Sequence, residues 1–226
     1  MPLLDLSHVV EDGMITYPGL PAPSITDHLT FEESAGHYAA GTEFHIGRID
    51  LVANTGTYLD TPAHRWRDRE DLSAVPIDRL AALPGIVIRE EGPELTPDLI
   101  ADVDLEGVAV LLNTGWDQYW RTDDYGDLSH PFVGEALARA LTAAGPALVG
   151  IDSVNIDSTG SGDRPAHSLL LDAGILVVEH LTRLDELPDA GFEFFAAPVK
   201  VRGLGTFPVR AFARWSTNKE SSITER

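Results

Sequence analysis

Asp60 and His64 stand four residues apart in Asn54-Thr55-Gly56-Thr57-Tyr58-Leu59-Asp60-Thr61-Pro62-Ala63-His64, the densest run of chemistry-bearing side chains in the sequence. Gly56 and Pro62 fix the backbone there, so a short helical turn or tight loop can bring the carboxylate and the imidazole together. Such a pair either binds a metal or acts as an acid/base couple with the imidazole pKa raised by its neighbour. A turn-capping aspartate beside an exposed histidine would give the same spacing. A second constellation joins His167, on a short helix, to Glu179, at the end of an apolar strand. Ligands of open α/β sheets gather beyond the carboxyl ends of strands, which is where Glu179 falls, although a solvated strand end fits it equally well. Asp152 and Asp157 flank a loop after a buried strand and are candidates for supporting groups behind the site. Tyr17, Trp66 and Trp116 are the aromatic candidates for a pocket wall, with core packing as their ordinary alternative. His8, His28, His37, His45, His130 and His180 have no spacing that singles them out.

The elements that must position these groups can be read from apolar periodicity. Residues 108–114 and 147–152 are continuous apolar runs of the kind found in strands buried on both faces, and 175–179 closes the series. Between them, residues 131–144 read as an amphipathic helix. Val133, Leu137, Ala140, Leu141 and Ala144 share its face, Pro131 stands near its start and Gly145 just past its end. Residues 166–173 read as a second, short helix after a Gly/Ser-rich loop at 158–162. Strands alternating with helices predict an α/β fold with parallel connections. Nearer the N-terminus, 46–53 and 86–89 read as strands, and residues 4–19 as short strands and turns.

With 226 residues and no interior linker, the chain is expected to form a single domain over 1–215, followed by a polar tail at 216–226. Thirty-six acidic residues against 16 basic give a formal net charge of −20, which disfavours nucleic acid and anionic membrane surfaces as partners. No apolar run is long enough to span a bilayer, and no export signal is visible, so the expected location is the cytoplasm. The absence of cysteine excludes disulfides, thiolate metal sites and a cysteine nucleophile.

Several motifs in order along most of the chain resemble the cyclase family that includes bacterial kynurenine formamidase and isatin hydrolase. The family hallmark is His-x-Gly-Thr-His-x-Asp-x-Pro-x-His, matched here by residues 54–64 except at two positions. Asp5-Leu6-Ser7-His8 with Tyr17-Pro18-Gly19, Leu112 to Trp116, Gly150 to Asp157, Ala166-His167 through Glu179, Phe195 to Lys200, and Pro208 to Ala211 resemble further parts of it. The resemblance implies a swivelling β/β/α architecture, assembly as homodimers or tetramers, and hydrolysis of an amide, lactam or ester of a small molecule by metal-activated water. Carried across, it implies Asp60, His167 and Glu179 as metal ligands and His64 as the catalytic acid/base. Where the family has two further histidine ligands, this chain has Asn54 and Tyr58. That departure predicts one divalent ion, zinc or manganese, in place of two, with Asn54 and Tyr58 free to polarise a carbonyl. Two other readings stay open: a metal-free cyclase or dehydratase using His64 and Tyr58, and a non-catalytic small-molecule binding protein.

Overall fold

The apolar run at 108–114 lies at the heart of a nine-stranded mixed sheet. The computed structural model describes residues 1–101 and 103–216, so the expected tail lies, from 217 onward, outside the described residues. In chain order the strands are β1 (Leu3–Asp5), β2 (Ser24–Leu29), β3 (Ile46–Asp50), β4 (Tyr58–Asp60), β5 (Leu83–Arg89), β6 (Glu94–Leu95) and β7 (Ala109–Asn113). They continue with β8 (Phe132–Val133), β9 (Leu148–Ile151), β10 (Leu176–Glu179), β11 (Ala190–Phe195), β12 (Thr206–Pro208) and β13 (Phe212–Trp215). The α-helices are α1 (Phe31–Ala35), α2 (Pro62–Arg65), α3 (Glu135–Ala144) and α4 (Pro165–Asp172).

The main sheet runs β1-β13-β11-β5-β7-β9-β10-β4-β12. Its centre, β5-β7-β9-β10, is parallel, as the strand–helix alternation predicts, and the strands on either side join antiparallel. Each central strand is apolar on both faces because the sheet separates two cores. Val110, Leu112, Val149, Ile151 and Val177 pack with Leu137 and Leu141 of α3 and Leu170 of α4. Leu111, Leu148, Leu176 and Val178 face the opposite core with Leu59 and Phe194. Side chains buried this completely each favour the fold by about 1.5–3 kcal/mol.

Several boundaries differ from the sequence reading. The helix expected from Pro131 starts at Glu135, because Phe132–Val133 pairs with Glu94–Leu95 as a two-stranded ribbon and Gly134 takes the N-cap. Its other end is as expected, with Gly145 left-handed at φ 70°. The strand expected over 46–53 ends at Asp50 and forms, with β2, a hairpin whose residues are nearly all exposed. The segment 58–60, expected in a loop or turn, is a strand buried between β10 and β12. Among the described residues no helix is long and apolar enough to cross a membrane.

Candidate metal and catalytic site

The side chains singled out in 54–64 are carried on a strand–helix junction. Tyr58 and Asp60 leave the same face of β4, two residues apart, and Pro62 at the first position of α2 turns the chain so that His64 comes back toward Asp60. His64 Nδ1 is 3.6 Å from Asp60 Oδ1. The turn is held from outside by Gly205, whose carbonyl accepts from Thr61 N–H at 2.7 Å. A Cβ on Gly205 would sit 2.2 Å from His64 N, so only glycine allows this approach. Glu179 enters from the carboxyl end of β10, whose neighbour is β4, and His167 from the first turn of α4.

These elements converge on a small cavity of about 140 Å³ lined by Asn54, Tyr58, His64, Arg65, Asn155, Arg164, His167 and Glu179. Asp60, outside that lining and fully buried, adjoins its His64 and His167. His167 Nε2 is 3.6 Å from Asp60 Oδ2 and 3.6 Å from Glu179 Oε1. Those separations are too long for hydrogen bonds. They suit donors that share an ion, since two ligands about 2.1 Å from a tetrahedral centre stand roughly 3.4 Å apart. Asp60 Oδ2 has no hydrogen-bond partner among the described residues although it is buried, an expense that a cation would relieve. Donor atoms of Asp60, His64 and His167 all lie within 4.8 Å of one another. Asp60, His64 and His167 could therefore hold a divalent ion, with Glu179 Oε1 beside them at 3.6 Å from His167 Nε2.

The surroundings fix the orientation of each group. His167 Nδ1 donates to Asp157 Oδ2 at 2.7 Å, which turns Nε2 toward the two carboxylates, and Asp157 also accepts the backbone N–H groups of Ala166 and His167. Burial opposes a charge on His167, but Glu179, the Asp157 hydrogen bond and Asp60 outweigh it and raise the imidazole to about 10. Burial also acts to raise Asp60, and is outweighed by His64, His167 and the Thr206 hydroxyl, which hold it below the usual carboxylate range. Glu179 is pushed above that range by burial, with the charge of Asp60 adding to the effect. Thr206 Oγ1 donates to Asp60 Oδ1 and accepts from His64 Nδ1 at 2.6 Å. This short relay places the proton of a neutral His64 on Nδ1 and leaves Nε2 as a free base.

Tyr58 fills the space beside Glu179. Its hydroxyl donates to Glu179 Oε2 at 2.6 Å, and Ile156 N–H donates to Oε1 at 2.6 Å. Burial, reinforced by Glu179 and Asp60, pushes the phenol well above its ordinary pKa, so it stays protonated. Its one proton is thus committed to Glu179, which removes it as the carbonyl-polarising donor expected from the sequence. Behind it, His180 Nε2 lies 3.4 Å from the phenol oxygen and His180 Nδ1 lies 2.8 Å from Tyr125 Oη. Burial lowers His180 to about 3, so the ring is neutral.

The model of the Cyclase family matches residues 4–158. The chain belongs to the Cyclase family. A kynurenine formamidase of Salinibacter ruber is 28% identical over 215 residues, covering 95% of this chain and 98% of that protein. One from Polaromonas naphthalenivorans is 29% identical over 213 residues, covering 93% of this chain and 89% of that protein. Among solved structures, a potential metal-dependent hydrolase with cyclase activity has a TM-score of 0.76 at 27% identity, over 94% of this chain and 96% of that one. Isatin hydrolase A from Labrenzia aggregata has a TM-score of 0.79 at 23% identity, over 94% and 93%, and at that identity the likeness is one of fold.

Within this Cyclase-family site, Asn54, Tyr58, Asp60, His64, His167 and Glu179 come together, and Asp157 supports them. Asp152 does not touch them: it accepts from Thr114 N, Gly115 N and Asn113 Nδ2 in the adjoining loop, with its pKa raised to about 6 by burial in spite of those bonds. Tyr17, Trp66 and Trp116 do not line the cavity. Trp66 Nε1 donates to Ser168 O on α4, Trp116 Nε1 donates to Tyr125 O, and Tyr17 lies in the turn whose carbonyl accepts from Leu20 N. The sequence reading missed Thr206, Asn155 and Arg164. Arg164 carried a signal, since it directly precedes Pro165 at the start of the helix bearing His167. Thr206 carried none, lying 142 residues from the histidine it contacts.

Proposed function

We propose that this protein is a metal-dependent hydrolase cleaving an amide, lactam or ester of a small molecule, with an aryl formamide such as N-formylkynurenine as the reference substrate. One divalent ion, zinc or manganese, would be held by Asp60, His167 and Glu179. The observation that carries this reading is the buried Asp60 Oδ2, which has no hydrogen-bond partner among the described residues and faces His167 Nε2 at 3.6 Å. The kynurenine formamidase relatives support the substrate class.

When bound, the ion supplies Lewis acidity toward the scissile carbonyl and the attacking water. His64 Nε2 takes a proton from that water as it adds to the carbonyl carbon. The same proton goes to the nitrogen or oxygen of the bond that breaks, releasing an acid and an amine or alcohol. Thr206 and Asp60 hold the imidazole in the tautomer that this requires. Asn54 is the neutral donor available to the developing oxyanion, now that Tyr58 is committed to Glu179. Asp157 keeps His167 oriented.

The test is hydrolysis of N-formylkynurenine and of simple aryl formamides before and after chelation. Turnover that disappears with the metal and returns on adding it back supports the reading. Hydrolysis that survives chelation would remove the ion from the reaction and leave His64 to act without it.

The β2–β3 hairpin supports homo-oligomer formation. Leu20, Ile25, Phe31, Tyr38, Phe44, Ile46 and Ile49 on and around it are all exposed. Exposed large apolar side chains gathered on one arm mark an interaction surface more often than plain solvent contact. A second copy of this chain is the occupant we assign to that arm.

A further inference from the structure

Many arginines of this acidic chain are paired with a carboxylate, as Arg69 is with Asp172 and Arg214 with Glu193. Among the described residues, Arg65 and Arg164 have no carboxylate within ion-pair range, and both line the catalytic cavity. Arg65 uses Nε to bond Ser168 Oγ at 3.1 Å and lies over the Trp66 ring at 4.4 Å, with no protein acceptor for its two terminal nitrogens among the described residues. Arg164 directs Nη1 to the carbonyls of Ser158, Ser161 and Asp163, which fixes the guanidinium while Nε and Nη2 have no such acceptor. The same two residues also line the adjoining cavity of about 610 Å³, so they stand where the small catalytic cavity opens into a larger one. Glu135 and Asp163 are the carboxylates on that outer cavity, and Glu135 is taken by Arg139.

In a molecule of net charge −20, two fixed and unneutralised guanidinium groups at the mouth of a site lined with carboxylates oppose the prevailing field. Guanidinium forks match carboxylates in both charge and geometry. We propose that Arg65 and Arg164 form an anion-binding subsite at the mouth of the catalytic cavity, and that the substrate is an amide or ester bearing a carboxylate away from its scissile bond. The assignment of that anion to a substrate rests on the hydrolase reading above. Arg65 and Arg164 are then the residues that select charge, and the ion with His64 acts on the bond.

Benzoate and benzamide, alike in shape and different in charge, are the probes. Calorimetric titration of the metal-loaded protein at low salt should show benzoate binding at least about tenfold more tightly than benzamide. Arg65→Gln and Arg164→Gln should each remove most of that preference, Arg65→Lys should keep part of it, and added salt should weaken it. Thermal melting of each variant separates lost binding from lost folding, and Arg65→Gln is the informative change because Arg164 also braces a loop. Benzoate held by the ion alone would be indifferent to Arg65→Gln, and that result, or equal affinity for the two probes, would overturn the subsite. Comparing kcat/KM for 2-formamidobenzoate and formanilide separates the two proposals. Arginine-dependent benzoate binding with neither formamide cleaved removes the hydrolase and keeps the anion site. Equal cleavage of both formamides, with no arginine-dependent binding, does the reverse.

Discussion

His64 reaches Asp60 through a hydroxyl: its Nδ1 donates to Thr206 Oγ1, which donates in turn to Asp60 Oδ1. Thr206 is therefore a positioning residue. Thr206→Val should lower kcat about 10–100-fold, beyond what the stability lost by orphaning Asp60 Oδ1 explains, and Thr206→Ser should restore most of it. A valine variant with full kcat would remove the relay. His64→Ala should lower turnover by about 10²–10⁴-fold with the fold intact by circular dichroism, whereas unchanged turnover would remove His64 as the base. Tyr58 makes a different prediction. Its phenol occupies the side of Glu179 where the family motif carries an imidazole, so restoring both histidines, Asn54→His with Tyr58→His, should raise the metal stoichiometry from one ion per chain to two. Elemental analysis reads this directly.

At the scale of elements, the site depends on a strand–helix junction clamped from a distant loop. Gly205→Ala places a methyl against the backbone of His64, and the junction has to shift. Denaturant unfolding should show a loss of about 1–3 kcal/mol, accompanied by a fall in kcat that the loss of stability alone does not explain. A variant with wild-type stability and activity would show that the junction yields freely. The central strands and α4 were legible because their apolar runs are continuous and their ends carry glycine and proline. β4 was not, because three residues that include a tyrosine and an aspartate have no apolar pattern, and their strand character comes from β10 and β12 on either side. The start of α3 was misplaced for a similar reason: Phe132 and Val133 fit a helical face, but pairing with β6 claims them. Asp60, His64, His167 and Glu179 were candidates by type and spacing, and only the resemblance to the family motif assigned them roles. The commitment of Tyr58 to Glu179 could not, since it depends on which way a ring turns in a closed core.

At the scale of the molecule, buried neutral histidines tie stability to pH. Burial lowers His180 to about 3, and His8, stacked on Trp120, to about 4 in spite of Asp117. Both lie below the ordinary value of 6.5, so the unfolded chain takes up these protons first and the folded state loses stability as pH falls from 6.5 toward 4. Each contributes a slope of about 1.4 kcal/mol per pH unit across that window. Urea unfolding at pH 7 and pH 5 should show the loss, and His180→Gln should flatten it by about one proton; an unchanged slope would place the titration elsewhere. Light scattering should find a dimer or larger assembly that Ile49→Asp with Phe44→Asp shifts to monomer, while a wild-type monomer would leave the exposed arm without its second copy. A single-ion site is tested by the zinc and manganese content of the purified protein after dialysis, alongside His167→Ala. One ion per chain is expected in the wild type and almost none in the variant. No bound ion, two ions, or one ion retained by His167→Ala would contradict it.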